Sequence, residues 1–183
     1  MTDFYAHALD DLAAVFKRID HGGVARAVDE IASAGRIALY GVGREGLQIR
    51  GFAMRLFHLG LKASVVGDMT TPPIGAGDLL ILSSGPGAFS TTQALIGVAK
   101  MAGARTLVVT AQPDGADARA ADVVLFLPAQ TMADDRGEKI SVLPMGSLFE
   151  GAQYILFEGM ILALRDKLGI SAEAMRANHT NLE

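Results

Sequence analysis

The chain contains no cysteine and no tryptophan. Without thiols, neither a disulfide framework nor a thiolate metal centre is available to it. Its four histidines, His7, His21, His58 and His179, show no H-x-x-x-H or carboxylate spacing, so no metal site is expected. A basic cluster is also missing. Sixteen Lys and Arg stand against twenty Asp and Glu, a net charge of −4, which argues against nucleic acid or an anionic membrane as the main partner. The apolar run over 154–164 carries Glu158 and is too short to span a bilayer. The opening residues MTDFYAHALDDL are acidic where a secretory signal is basic, so a cytoplasmic protein is expected.

What the chain does have is material for a core. Half of its 183 residues are hydrophobic and 20% are charged, which suits one domain. Short apolar runs at 36–40, 62–66, 79–82, 105–110 and 122–127 read as strands, the buried kind that needs no polar alternation. Helical patterns lie between and around them. The first runs over about 4–20 and is ended by His21-Gly22-Gly23; the second covers 24–33. A later one, with Pro144 in its first turn, continues to about 168. The alternation predicts an α/β fold: a three-layer α-β-α sandwich around a five-stranded parallel sheet of flavodoxin-like order 2-1-3-4-5. A single domain over 1–183 then has N-terminal helices at 4–33, a sheet core at 36–127, the long helix at about 144–168 and a tail at 171–183.

Residues 79–93, LLILSSGPGAFSTTQ, are the stretch around which the rest is organised. A strand, a glycine-rich turn and a helix start direct free backbone N–H groups into one small volume, where anions bind. Yet Pro86 has no N–H, and Ala88 and Phe89 carry no hydroxyl. In the predicted strand order the loop 41–46 lies beside the loop 83–89. That first loop formally matches G-x-G-x-x-G, with Asp68 as the only acidic residue near the end of the next strand. A tight turn that needs glycine accounts for the same residues. Glu150, about two turns into the long helix, can act as a general base or be a solvated helix carboxylate. His179, in a tail rich in polar groups, has the chemistry of a proton relay near neutral pH.

Several motifs follow one another along the chain. They are Gly41-Val42-Gly43-Arg44, then Phe52-Ala53-Met54-Arg55-Leu56 with His58-Leu59-Gly60, then Thr71-Pro72-Pro73 and Gly77-Asp78-Leu79. Two longer ones are more specific: Pro144-Met145-Gly146-Ser147-Leu148-Phe149-Glu150 and the terminal His179-x-Asn181-Leu182-Glu183. Together they resemble the sugar isomerase (SIS) family, and within it the 6-phospho-3-hexuloisomerase group, over nearly the whole chain. The resemblance implies interconversion of 3-hexulose 6-phosphate and fructose 6-phosphate through an enediolate, with no metal or cofactor. It makes Glu150 the base and His179 the residue for ring opening or proton relay. Substrate-binding positions would be Gly43, Arg44, Glu45, Arg55, Ser84, Gly85, Gly87, Ser90 and Thr91. A homo-oligomer, usually a tetramer, is also implied, so that His179 would serve a neighbouring subunit.

The departures from the family pattern fall on the phosphate ligands. The family's first loop reads G-x-G-R-S, where this chain has Glu45. Its second reads S-G-S-G-E-T, where Ser84 to Phe89 keep one hydroxyl of three. Leu143 replaces a frequent glutamine. Each hydrogen bond to a charged group contributes about 1.5–3 kcal/mol, so two or three losses weaken phosphate binding by orders of magnitude. Three functions therefore stand: the phosphohexulose isomerase with a rebuilt anion site, an isomerase of an altered and unphosphorylated sugar, and a non-catalytic sugar-binding protein.

Overall fold

Five apolar segments form one parallel sheet in the order β2-β1-β3-β4-β5. They are β1 (Ile37–Gly41), β2 (Ala63–Val65), β3 (Leu79–Ser83), β4 (Arg105–Thr110) and β5 (Val123–Phe126). This is the predicted order. The computed structural model describes residues 2–137 and 140–182.

Both faces of the sheet are covered, which is why its strands lack polar alternation. Ile37 and Leu39, Leu79 and Ile81, and Leu107 and Val109 point to one face. There they meet α1 (Thr2–Phe16), α2 (His21–Ala32), α3 (Gly43–His58) and α6 (Ser147–Leu168). Ala38, Leu80, Leu82 and Val108 point to the other face, under α4 (Ser90–Met101) and α5 (Ala116–Ala120). A short α7 (Ala172–Ala177) lies against α3. The stretch Pro144–Leu168, which contains the 154–164 run, is long and apolar enough to cross a membrane by length and composition alone. Half of its apolar 18-residue window is buried in the fold, and Phe149, Ala152, Leu156, Met160 and Leu164 lie in the core.

Two helix boundaries differ from expectation. His21-Gly22-Gly23 does not end α1, which stops at Phe16; these residues open α2. The Asp20 side chain caps that helix by accepting the Gly22 N–H at 2.9 Å, and the cap outweighs the two glycines. Pro144 opens a separate 3-10 turn, Pro144–Gly146, rather than the long helix. Met145 (φ 55°) and Gly146 (φ 67°) are left-handed, so α6 starts only at Ser147. Glu150 therefore lies in the first turn of α6, not two turns in.

Candidate active site

Gly41 at the end of β1 pairs in register with Ser83 at the end of β3, so the loops that follow emerge side by side at the carboxyl edge of the sheet. A Cβ on Gly46 would stand 2.6 Å from the Gly41 carbonyl oxygen. This close approach draws the first turn of α3 against β1 and brings Arg44 and Glu45 to the edge.

Glu45 turns inward and is only 6% exposed. Its Oε2 accepts the Ser83 hydroxyl and, at 2.9 Å, the Gly85 N–H. Ser83 Oγ in turn accepts from Gln153 Nε2 of α6 at 2.6 Å. A side chain at Gly85 would collide with the Phe149 ring and with Glu45 Oε1, within about 3.0 Å of each, so the loop needs glycine here. Burial pushes the Glu45 carboxyl above its ordinary range, with Glu150 adding repulsion; the Ser83 and Gly85 bonds and Arg44 oppose this.

Glu150 is the second carboxylate. Arg44 Nε lies 3.3 Å from its Oε1, and Arg44 Nη2 donates to the Met145 carbonyl at 2.5 Å. The left-handed Met145 backbone thus presents an acceptor that holds the guanidinium in place. Glu150 Oε2 is buried and has no hydrogen-bond partner among the described residues. Burial raises the pKa of this carboxyl, against the lowering influence of Arg44. The two carboxylates and Arg44 line one cavity of about 360 Å³ whose remaining wall is largely apolar, with Val42, Pro86, Phe89, Met132 and Phe149. The arrangement can hold a polar ligand of sugar size against one carboxylate with a free oxygen and a second, sequestered one. Among the described residues no His, Asp and Glu cluster could hold a metal ion.

The cavity brings together Gly43, Arg44, Glu45 and Glu150, and Gly85 borders it through Glu45. Ser84 is fully buried and points away; its hydroxyl donates to Asp117 at 2.6 Å. Asp117 also accepts the Phe89 N–H at 3.1 Å and the Thr92 hydroxyl, which clamps the whole loop 84–89. Gly87 (φ 90°) packs where a Cβ would lie 2.6 Å from Gln112 Cβ. Ser90 and Thr91 are exposed at the start of α4, outside the cavity lining.

Two expected site residues lie elsewhere. Arg55 makes a bidentate pair with Glu158, at 2.8 and 2.9 Å, between α3 and α6. His179 stacks on His58 with ring centroids 5.1 Å apart, and Asn178 Nδ2 donates to the His58 carbonyl at 3.0 Å. His58 ends α3, whose first turn holds Arg44, and the fourteen residues of helix between them rise about 21 Å. Glu150 and His179 of one chain are therefore not brought together. Glu183 lies outside the described residues.

Ser83, Asp117, Gln153 and Phe149 were not anticipated as site residues. Gln153 lies three positions after Glu150 and shares its helix face, a spacing that could have revealed it. Asp117 approaches its partners only through the tertiary fold and left no local signal.

Residues 30–142 match the SIS domain family. Among curated proteins, the chain is 40% identical over 174 residues to a 3-hexulose-6-phosphate isomerase of Mycobacterium gastri, covering 95% of this chain and 87% of that one. It is 33% identical over 182 residues to a 3-hexulose-6-phosphate isomerase of Bacillus subtilis, covering 100% and 98%. Among solved structures, a hypothetical protein of Methanococcus jannaschii, described as inferring a 3-hexulose-6-phosphate isomerase function, superposes with a TM-score of 0.82. The two are 29% identical, with 100% of this chain and 98% of that one covered. By sequence and by fold, the chain belongs to the SIS domain family.

Proposed function

We propose that the chain is a sugar phosphate isomerase, an intramolecular oxidoreductase that interconverts 3-hexulose 6-phosphate and fructose 6-phosphate. The observation that carries this reading is Glu150, a residue of the cavity lining with one oxygen held by Arg44 and the other buried and without a hydrogen-bond partner among the described residues. In the reaction Glu150 removes the proton from C2 of the 3-ketose. The C–H electrons form the C2–C3 double bond and the carbonyl electrons move to O3, giving an enediolate. The proton then returns to C3 while the O2–H electrons form the carbonyl at C2 and the O2 proton passes to O3. A desolvated carboxylate is a stronger base than a hydrated one, and the Arg44 contact fixes its direction. The names of the curated relatives support this reaction class.

His179 takes part from a neighbouring subunit in this reading, since within one chain it stands at the far end of α3. Leu47, Met54 and Phe57 on α3 and Tyr154, Ile155 and Leu162 on α6 are exposed, an apolar surface that suits a homo-oligomer, with a tetramer as the expected state.

A second reading is favoured by where the loop donors go. The Ser83 hydroxyl and Gly85 N–H serve Glu45, while the Ser84 hydroxyl and Phe89 N–H serve Asp117. An isomerase of an unphosphorylated sugar fits a cradle occupied by the chain's own carboxylates. For a phosphorylated substrate, the open first turn of α4 with Ser90 and Thr91 is the place left for the anion.

The test is turnover of 3-hexulose 6-phosphate by wild type and by Glu150→Gln. Wild-type turnover that falls about 100-fold or more in a folded variant supports the first reading. Turnover of unphosphorylated ketoses alone supports the second. Sugar binding without turnover, retained by Glu150→Gln, makes the chain a binding protein and overturns both.

A further inference from the structure

The cavity contains a second carboxyl group that the mechanism above does not use. Moving a carbonyl between adjacent carbons requires more than a carbon-bound proton. As C2 loses its proton, O3 gains one or bears a full negative charge; as C3 is protonated, O2 must lose its own. A base at carbon cannot serve both oxygens at once.

We infer that Glu45 is a second catalytic residue of this site, whose Oε1 carries the proton exchanged with the two substrate oxygens. This rests on the isomerase reading. Three observations support it. Glu45 lines the same cavity as Glu150, so one ligand can meet both. Its orientation is fixed, because the Ser83 hydroxyl and Gly85 N–H both land on Oε2 and Gln153 holds Ser83 from behind. Its Oε1 takes neither of these bonds and lies between Gly85 and the Phe149 ring, on a residue that lines the cavity. Burial at 6% exposure also favours the neutral acid, the form that can donate.

The proton balance closes. Protonated Glu45 gives its proton to O3 while Glu150 takes the proton from C2, which leaves a neutral 2,3-enediol and a Glu45 carboxylate. Glu45 then takes the O2 proton while Glu150 returns its proton to C3. The product is the 2-ketose, and both residues recover their starting forms. Proton transfer to O3 neutralises the enediolate charge as it develops, which suits a wall built from Phe89, Phe149 and Pro86.

The experiment compares wild type, Glu45→Gln and Glu150→Gln in deuterated water, with fructose 6-phosphate as substrate. The glutamine amide retains an acceptor for Ser83 and Gly85, so the loop stays braced while the transferable proton is lost. Glu45→Gln is expected to lower kcat by about 100-fold with KM changed by less than about threefold. Deuterium incorporation at carbon should fall less than isomerisation does, because Glu150 is intact. Glu150→Gln should lose both. Glu45→Gln within about threefold of wild type in kcat makes the residue a brace and overturns the inference. A wild-type infrared spectrum at pH 7 without the protonated-carboxyl band that Glu45→Gln removes overturns it as well, whatever the turnover. Absence of wild-type turnover on either sugar phosphate, with that band present, is a failure of the substrate reading; the same comparison on the ketose that is turned over then decides Glu45.

Discussion

Ser83 and Ser84 are neighbours in sequence, yet their hydroxyls donate to opposite faces of the sheet, one to Glu45 and the other to Asp117. Alternation along the strand separates them. The consequence is chemical: at the loop where a phosphate-binding protein offers donors to a ligand, this chain offers them to two carboxylates of its own. The interior of the site is therefore a hydrogen-bonded wall, in which Glu150 Oε2 is buried without a hydrogen-bond partner among the described residues.

Arg44 sets the working range of Glu150. Replacing it with glutamine removes the cation that lowers the Glu150 pKa, while burial and the nearby Glu45 remain. A base works only when ionised, so the acid limb of the kcat/KM profile should move to higher pH. Turnover at pH 7 should fall about 10–100-fold, from this shift and from lost orientation. A pH–rate profile that keeps its acid limb in place would show that Arg44 does not act on Glu150.

Glu45 couples stability to pH with a definite sign. Its folded pKa lies above the ordinary value of 4.5, so the folded state binds the proton more tightly than the unfolded chain. That contribution is fully present below 4.5 and is lost as pH rises through the folded value. Glu45→Gln should therefore melt above wild type at pH 8, with the gap narrowing toward pH 4. For a chain of this size each 1 kcal/mol appears as about 2–4 °C in Tm. A gap that widens on acidification would contradict the buried neutral acid.

Gly146 is the tightest point in the site's scaffold. A Cβ there would lie 2.2 Å from the Thr131 carbonyl carbon, and φ is 67°. Gly146→Ala should cost about 2–4 kcal/mol by denaturant titration and should reduce turnover, because the start of α6 and Glu150 shift together. Gly97→Ala is the contrast. Gly97 is exposed within α4 with open space around its Cα, so alanine should stabilise by about 0.4–1 kcal/mol.

Within one chain His179 stands at the far end of α3 from Glu150, so the proposed reaction draws His179 from a second subunit. Glu150→Gln and His179→Ala should each be inactive alone. Mixed subunits, refolded together, should regain part of the activity, since some sites then combine an intact Glu150 with an intact His179. An active His179→Ala protein would remove the residue from the mechanism, and mixtures that stay inactive would show that His179 does not complete a neighbouring subunit's site.

Much of the architecture was legible in the residues. Apolar runs without polar alternation specified strands covered on both faces, and their alternation with helices specified a parallel sheet whose loops gather at one edge. The motif Pro144 to Glu150 marked the catalytic candidate through its resemblance to the family pattern; from the residues alone Glu150 could equally be a solvated helix carboxylate. Two local readings failed for local reasons: the Asp20 cap outweighed the glycines at 22 and 23, and the left-handed pair Met145-Gly146 delayed α6. What only the tertiary structure decided was which way each polar side chain faced. Glu45 appeared in the sequence as a lost serine, and folding turned it onto Ser83 and Gly85, 38 and 40 residues away. Asp117 gave no sign of its clamp on the loop, and Arg55 was drawn to Glu158, 103 residues distant. Periodicity reports the face an element buries; long-range hydrogen bonds depend on packing between elements, which no local pattern encodes.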